Sequence, residues 1–213
     1  MDLFIKTMFI KVCGMRNSAN IHEVARLKPD LMGFILYPKS KRYVGEDFDP
    51  ALVKSVMPEV QTVGVFVNEE TDKVISLVRK YNLGFVQLHG NESPATCHKI
   101  REIGVKVMKA FGVHDNFDWS VLDSYVNSCD YFLFDTSTKD YGGSGQKFDW
   151  ETLNNYKIQH PFVLSGGITP EDAVAIKKIG HPQLAGIDIN SCFELEPGLK
   201  HVAKIQRFMN EVR

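Results

Sequence analysis

Apolar runs of strand length recur roughly every 25 residues along the chain, and each leads into a turn or an amphipathic stretch. The first is Met8-Phe9-Ile10-Lys11-Val12-Cys13, closed by Gly14. From about Ser18, the residues Ile21, Val24 and Ala25 share one face and predict a helix. The second strand is Leu31-Met32-Gly33-Phe34-Ile35-Leu36-Tyr37, followed by the polar loop Pro38-Lys39-Ser40-Lys41-Arg42-Tyr43 and a helix over residues 50–57. After the third strand, Thr62-Val63-Gly64-Val65-Phe66-Val67, a stripe of Val74, Leu77, Val78 and Tyr81 has helical spacing. The fourth, Phe85-Val86-Gln87-Leu88, ends at His89-Gly90, and Ser93-Pro94 supplies an N-cap and a first-turn proline for the next helix. The fifth is Val105-Lys106-Val107-Met108-Lys109-Ala110, with a less regular helical pattern over residues 119–126. The sixth, Tyr131-Phe132-Leu133-Phe134-Asp135-Thr136, ends on a carboxylate and opens into Tyr141-Gly142-Gly143-Ser144-Gly145. Phe162-Val163-Leu164 runs into Ser165-Gly166-Gly167, and Thr169-Pro170-Glu171-Asp172 starts a helix with a cap, a proline and two acids. The eighth strand, Gly186-Ile187-Asp188-Ile189, ends at Asn190-Ser191, and Ile205, Phe208, Met209 and Val212 predict a closing helix.

Strict alternation of strand and helix predicts a parallel sheet. Eight such units without a proline- or serine-rich linker predict one domain over residues 1–213, an α/β fold of the single-domain (β/α)8 TIM-barrel type. An open doubly wound sheet is the alternative. It would more often carry Gly-x-Gly-x-x-Gly after its first strand, where this chain reads Cys13-Gly14-Met15.

A formal net charge of -1 gives no reason to expect a nucleic acid or an anionic membrane surface as partner. No apolar run approaches the ~18 residues of a membrane span, and Met1-Asp2-Leu3-Phe4-Ile5-Lys6 lacks the apolar centre of a signal peptide. Cys13, Cys97, Cys129 and Cys192 are scattered with no Cys-x-x-Cys pair, so free thiols in the cytoplasm are expected rather than disulfides or a zinc site.

In a parallel barrel the C-terminal strand ends converge on one face, and the site lies there. Cys13, His89, Asp135 and Asp188 gather at that end, with the loops of Arg42, Gly142-Gly143, Gly166-Gly167 and Asn190-Ser191. The seventh and eighth loops are the usual phosphate site of this fold, and Gly166-Gly167 leaves backbone donors uncovered before a helix start. One small phosphorylated metabolite is the ligand expected. Cys13 and Asp135 come from different strands and so could flank it as base and acid. The base needs a thiol pKa lowered by Arg16 or loop N–H groups, and the acid needs desolvation beside Phe132 and Phe134. Each residue also has a plainer reading: Cys13 as a small core residue, Asp188 as a strand-end acceptor, Arg42 as a solvated loop arginine and His89 as a structural hydrogen-bonder. His89 has no companion ligands for a metal.

The chain resembles the phosphoribosylanthranilate isomerase family of tryptophan biosynthesis. The resemblance rests on Lys11-Val12-Cys13-Gly14, Gly33-Phe34-Ile35, the loop from Pro38 to Tyr43, Gly64-Val65-Phe66-Val67-Asn68 and Val86-Gln87-Leu88-His89-Gly90-Asn91-Glu92. It continues through Phe134-Asp135-Thr136, Gly142-Gly143-Ser144-Gly145, Phe148-Asp149-Trp150, Ser165-Gly166-Gly167-Ile168, Gly186-Ile187-Asp188, and Glu194 with Pro197-Gly198 and Lys200. It implies a (β/α)8 barrel that needs no cofactor and no metal, working as a monomer or homodimer. The implied reaction is an Amadori rearrangement of N-(5-phosphoribosyl)anthranilate to 1-(2-carboxyphenylamino)-1-deoxyribulose 5-phosphate. By the same resemblance Asp135 is the general acid, Cys13 the general base and Arg42 the holder of the anthranilate carboxylate. The phosphate falls to Gly166, Gly167, Asn190 and Ser191, and the Gly142-Gly143 loop closes over the substrate. His89 and Asp188 support and orient it. The chain departs from the family's usual Ser-Ser-Gly with Asn190-Ser191-Cys192, where a positive φ at Cys192 would be costly. His201 stands where an aspartate is common. Two rivals stay open on the residues alone: another phosphosugar barrel enzyme, such as an epimerase or indole-3-glycerol phosphate synthase, and a catalytically silent phosphate-binding barrel.

Overall fold

Eight parallel strands pair in sequence order and close on themselves, β1 (Phe9–Val12) meeting β8 (Leu184–Ile189). Between them lie β2 (Leu31–Ile35), β3 (Gln61–Phe66), β4 (Phe85–Leu88), β5 (Lys106–Val113), β6 (Tyr131–Thr136) and β7 (Phe162–Leu164). The computed structural model describes residues 8–136 and 147–213. The (β/α)8 barrel expected from the alternation is the fold observed. At the closing seam Phe9 lies opposite Gly186 and Lys11 opposite Asp188. A Cβ at Gly186 would overlap the Phe9 ring, so this pairing needs a glycine.

The pleat divides each strand into two faces. Leu31, Val63, Met108, Ala110, Leu133 and Val163 turn inward and fill the barrel with Phe9, Phe85 and Tyr131. Ile10, Val12, Met32, Phe34, Phe132 and Phe134 turn outward into the larger core beneath the helices. Burying an apolar side chain of this size stabilises by roughly 1.5–3 kcal/mol. A charge on the inward face loses solvation instead and needs a partner there.

Among the described residues six α-helices surround the strands: α1 (Ser18–Ala25), α2 (Pro50–Lys54), α3 (Thr71–Tyr81), α4 (Pro94–Arg101), α5 (Ala173–Lys178) and α6 (Val202–Val212). Asn17, Asp49 and Ser93 cap α1, α2 and α4 with their side chains. The segment after β5 is a 3₁₀ helix, Trp119–Tyr125, not the α-helix expected over residues 119–126. Its serines, valine and aspartate are weak helix formers. Packing fixes it instead, with Trp119 edge-on to Phe134 at 5.2 Å between ring centroids. The segment after β6 is likewise 3₁₀, Trp150–Asn155. Among the described residues no helix is long and apolar enough to cross a membrane.

Two features that shape the mouth of the barrel had no counterpart in the sequence reading. Strand β5 runs on to Val113, so that Gly112 and Val113 pair with Asp135 and Thr136. A short antiparallel hairpin, β9 (Glu194–Glu196) with β10 (Leu199–Lys200), sits between β8 and α6. Asn20 of α1 pins it, accepting from Lys200 N at 2.7 Å and donating to Lys200 O at 3.0 Å.

Candidate active site

The inward face carries a column of reactive groups at the C-terminal ends of the strands. On β1, the two-residue period sets Lys11 and Cys13 on the same side as Phe9. Cys13 leaves the strand with its N–H donated to Ile189 O at 2.9 Å. Gly14 follows at φ +79°, where a Cβ would lie 2.7 Å from Asn190 Oδ1 and 2.8 Å from Arg42 Cδ. Only a glycine lets these two side chains lie this close over the end of β1.

His89 follows β4 directly, on the same face as Gln87. Its Nδ1 lies 2.8 Å from Gln87 Nε2. With the amide as donor, the bonding pattern assigns the ring proton to Nε2, which faces Asp135 Oδ2 at 3.2 Å. The other Asp135 oxygen accepts from Thr136 N at 2.8 Å. Gly166, at φ +86°, presses against this carboxylate: a Cβ there would stand 2.7 Å from Asp135 Oδ1 and 2.5 Å from Thr136 N. Phe132 and Phe134 do not wall the acid as expected. They lie one residue out of phase, so the pleat turns them to the opposite side of β6, into the outer core.

Asp188 sits below the mouth and holds Lys11, Nζ to Oδ1, at 2.9 Å, with both groups buried. This ion pair is where the structure places Asp188. Burial pushes the Lys11 ammonium down, but Asp188 and Cys13 outweigh it and raise its pKa. Burial raises Asp188, with Lys11 opposing. Burial also raises the Cys13 thiol, and Lys11 pulls against it. Arg16 does not supply the expected lowering. Its guanidinium is exposed and donates to Lys41 O at 3.1 Å.

Arg42 has a partner that the sequence reading lacked. Its Nε and Nη2 fork onto Glu194 of β9 at 2.7–3.0 Å. Lys200 of β10 approaches the same carboxylate at 2.7 Å. Burial pushes Glu194 up, but the two cations hold it below the usual carboxylate range. Lys200 also donates to Asn190 Oδ1 at 2.6 Å. That bond turns the Asn190 oxygen toward the hairpin and leaves the amide NH₂ as the donor on its other side.

Gly166 and Gly167 both adopt positive φ, at 86° and 62°. Among the described residues their N–H groups have no hydrogen-bond partner. The helix start beyond them is occupied by its own acid, since Asp172 Oδ2 accepts from Thr169 N at 2.6 Å. Ser191 opens a 3₁₀ turn, Ser191–Phe193, and Cys192 within it is not at positive φ, so replacing the family's glycine causes no backbone strain. His201 fills the aspartate's place as N-cap of α6, with Nδ1 3.4 Å from Lys204 N. Gly142 and Gly143 lie outside the described residues.

The family model described as N-(5'-phosphoribosyl)anthranilate (PRA) isomerase matches residues 10–211. The chain belongs to the phosphoribosylanthranilate isomerase family. A relative of that name from Parabacteroides distasonis is 46% identical over 96% of this chain and 93% of its own. The crystal structure of the Thermotoga maritima phosphoribosylanthranilate isomerase aligns with a TM-score of 0.86 at 35% identity, covering 96% of this chain and 98% of that one. A structure of a family member in complex with reduced 1-(o-carboxyphenylamino)-1-deoxyribulose 5-phosphate aligns at 32% identity and a TM-score of 0.83, with coverage of 96% and 98%. Membership makes the chain an isomerase of tryptophan biosynthesis.

The structure brings Cys13, His89, Asp135, Arg42, Gly166 and Asn190 to one end of the barrel and sets Asp188 just beneath it. Lys11, Gln87, Glu194 and Lys200 complete the network. A lysine on the inward phase of an apolar run is itself a signal that an acid lies opposite. The Glu-x-x-Pro-Gly-x-Lys pattern of Glu194, Pro197, Gly198 and Lys200 marks a turn that could return a cation to an acid.

Proposed function

We propose that the chain converts N-(5-phosphoribosyl)anthranilate to 1-(2-carboxyphenylamino)-1-deoxyribulose 5-phosphate with Asp135 as general acid and Cys13 as general base. The observation that carries this reading is the convergence of a carboxyl group from β6 and a thiol from β1 on the inward face at one end of the closed barrel. The bound molecule in the related complex is a reduced form of the reaction's product, which supports the same substrate class here.

Asp135 gives a proton to the ribose ring oxygen while the anilino nitrogen's lone pair forms the C1=N bond and the C1–O bond breaks. His89, on the other carboxyl oxygen, orients the acid. The resulting iminium acidifies the C2 hydrogen, and the Cys13 thiolate takes that proton to leave an enolamine. Protonation at C1 and loss of the C2 hydroxyl proton then give the ketone. The uncovered N–H groups of Gly166 and Gly167, with Asn190 and Ser191, receive the phosphate. Rescue of a tryptophan auxotroph lacking this isomerase tests the activity. Growth without tryptophan supports it, and no growth despite soluble expression contradicts it.

Arg42 reads as the holder of the anthranilate carboxylate, using the N–H groups that Glu194 does not occupy. Replacing it by alanine should raise KM at least about tenfold, the worth of one charge-assisted hydrogen bond. An unchanged KM would remove the clamp. At Asn190, aspartate keeps an acceptor for Lys200 but turns an anion toward the phosphate. Asn190→Asp should therefore raise KM by about tenfold or more, while Asn190→Ser, which keeps a donor, changes it little. Equal KM values for both variants would place the phosphate elsewhere.

A further inference from the structure

Cys13 shares its pocket with an ion pair. Lys11 lies one pleat below on the same face and opposite Asp188 in the β1–β8 register. Gly33 of β2 brings the groups together: a Cβ there would stand 2.9 Å from Cys13 Sγ and 3.2 Å from Lys11 Cε. The sulfur and the lysine stem thus pack against the same bare backbone. Thiol, ammonium and carboxylate occupy one buried space, in which the Lys11 ammonium faces two groups able to carry negative charge.

The other titratable groups at this end of the barrel already have partners. Lys200 from β10 is held by Glu194 at 2.7 Å. Arg42, over Gly14, is forked on the same Glu194. Asp135 of β6 and His89 after β4 face one another at 3.2 Å. Strand β2 contributes Gly33 and no charge. Lys11 remains as the cation placed between the thiol and an acid.

We infer that Lys11 is a positioning residue for the base: its ammonium is the counter-cation of the Cys13 thiolate, and Asp188 governs how much of that charge the sulfur receives. This inference rests on reading Cys13 as the base. In the resting pocket Lys11 and Asp188 neutralise each other and the thiol keeps its proton. Ionisation breaks the S–H bond and releases the proton to solvent before substrate fills the mouth. Lys11 then sits between two anions, and the C2 proton taken during turnover restores the S–H bond. The opposing effects of Lys11 and Asp188 on the thiol agree with this arrangement.

The test is a pH titration of ultraviolet thiolate absorbance on the purified free protein. Each spectrum is taken as the difference from the same background carrying Cys13→Ala, which isolates this one thiol. Lys11→Met should raise the Cys13 midpoint by about one pH unit or more, and Asp188→Asn should lower it by a similar amount. Removing one partner of a buried pair is destabilising, so Lys11→Met combined with Asp188→Asn serves if the single lysine variant fails to fold. The double variant should titrate above Asp188→Asn. A midpoint in Asp188→Asn at or above that of wild type, or equal midpoints in Asp188→Asn and the double variant, would overturn the inference. These outcomes are separate from the base assignment, which fails only if Cys13→Ala retains turnover.

Discussion

Asp135→Asn lowers kcat by about 10²–10⁴-fold, the usual worth of a positioned proton donor. The substitution is nearly isosteric. Its side-chain oxygen can still accept from Thr136 N, now 2.8 Å from Asp135 Oδ1. Gly166 still has room to pass, because no atom is added. What disappears is the acceptor for the His89 ring proton and, with it, a carboxyl proton at the ring oxygen, without which the C1–O bond must break to an unprotonated alkoxide. KM should change little, because Arg42 and the phosphate loops carry the binding. Steady-state kinetics separates the two parameters, and a wild-type kcat in this variant would remove Asp135 from the chemistry.

Cys13→Ala should cost a comparable factor, again about 10²–10⁴ in kcat. The thiol is almost fully buried against Gly33 and the end of β1. Its removal leaves a small void and leaves the Lys11–Asp188 pair in place, so the barrel should fold. Ring opening by Asp135 is untouched, and the block falls on loss of the C2 proton. With substrate deuterated at C2, the slow variant should therefore retain a primary isotope effect on kcat. A variant with full turnover would assign the base to another group.

Much of the site was legible because three of its groups stand directly at the ends of apolar runs. Cys13 and His89 directly follow β1 and β4, Asp135 is the last residue but one of β6, and parallel closure alone brings such positions together. The same period of two, applied to β6, turns Phe132 and Phe134 away from the acid. Applied to β1, it puts Lys11 on the side of the thiol. The partner of Arg42 was hidden for a different reason. Glu194 lies on a hairpin of three and two residues, too short to show a strand pattern, and reaches Arg42 only through closure of β1 on β8. The orientation of Asn190 likewise depends on Lys200, which returns from the far side of that hairpin. The 3₁₀ segment after β5 escaped the reading because aromatic packing, not local propensity, decides it.

The most direct measurement is the fluorescence of freshly prepared phosphoribosylanthranilate mixed with equal amounts of wild type, Cys13→Ala and Asp135→Asn. Rapid loss of substrate fluorescence with wild type, and loss slowed by at least about a hundredfold with each variant, is the predicted result. No consumption by the wild-type protein, or consumption by either variant at the wild-type rate, would contradict an isomerase whose acid and base stand on β6 and β1.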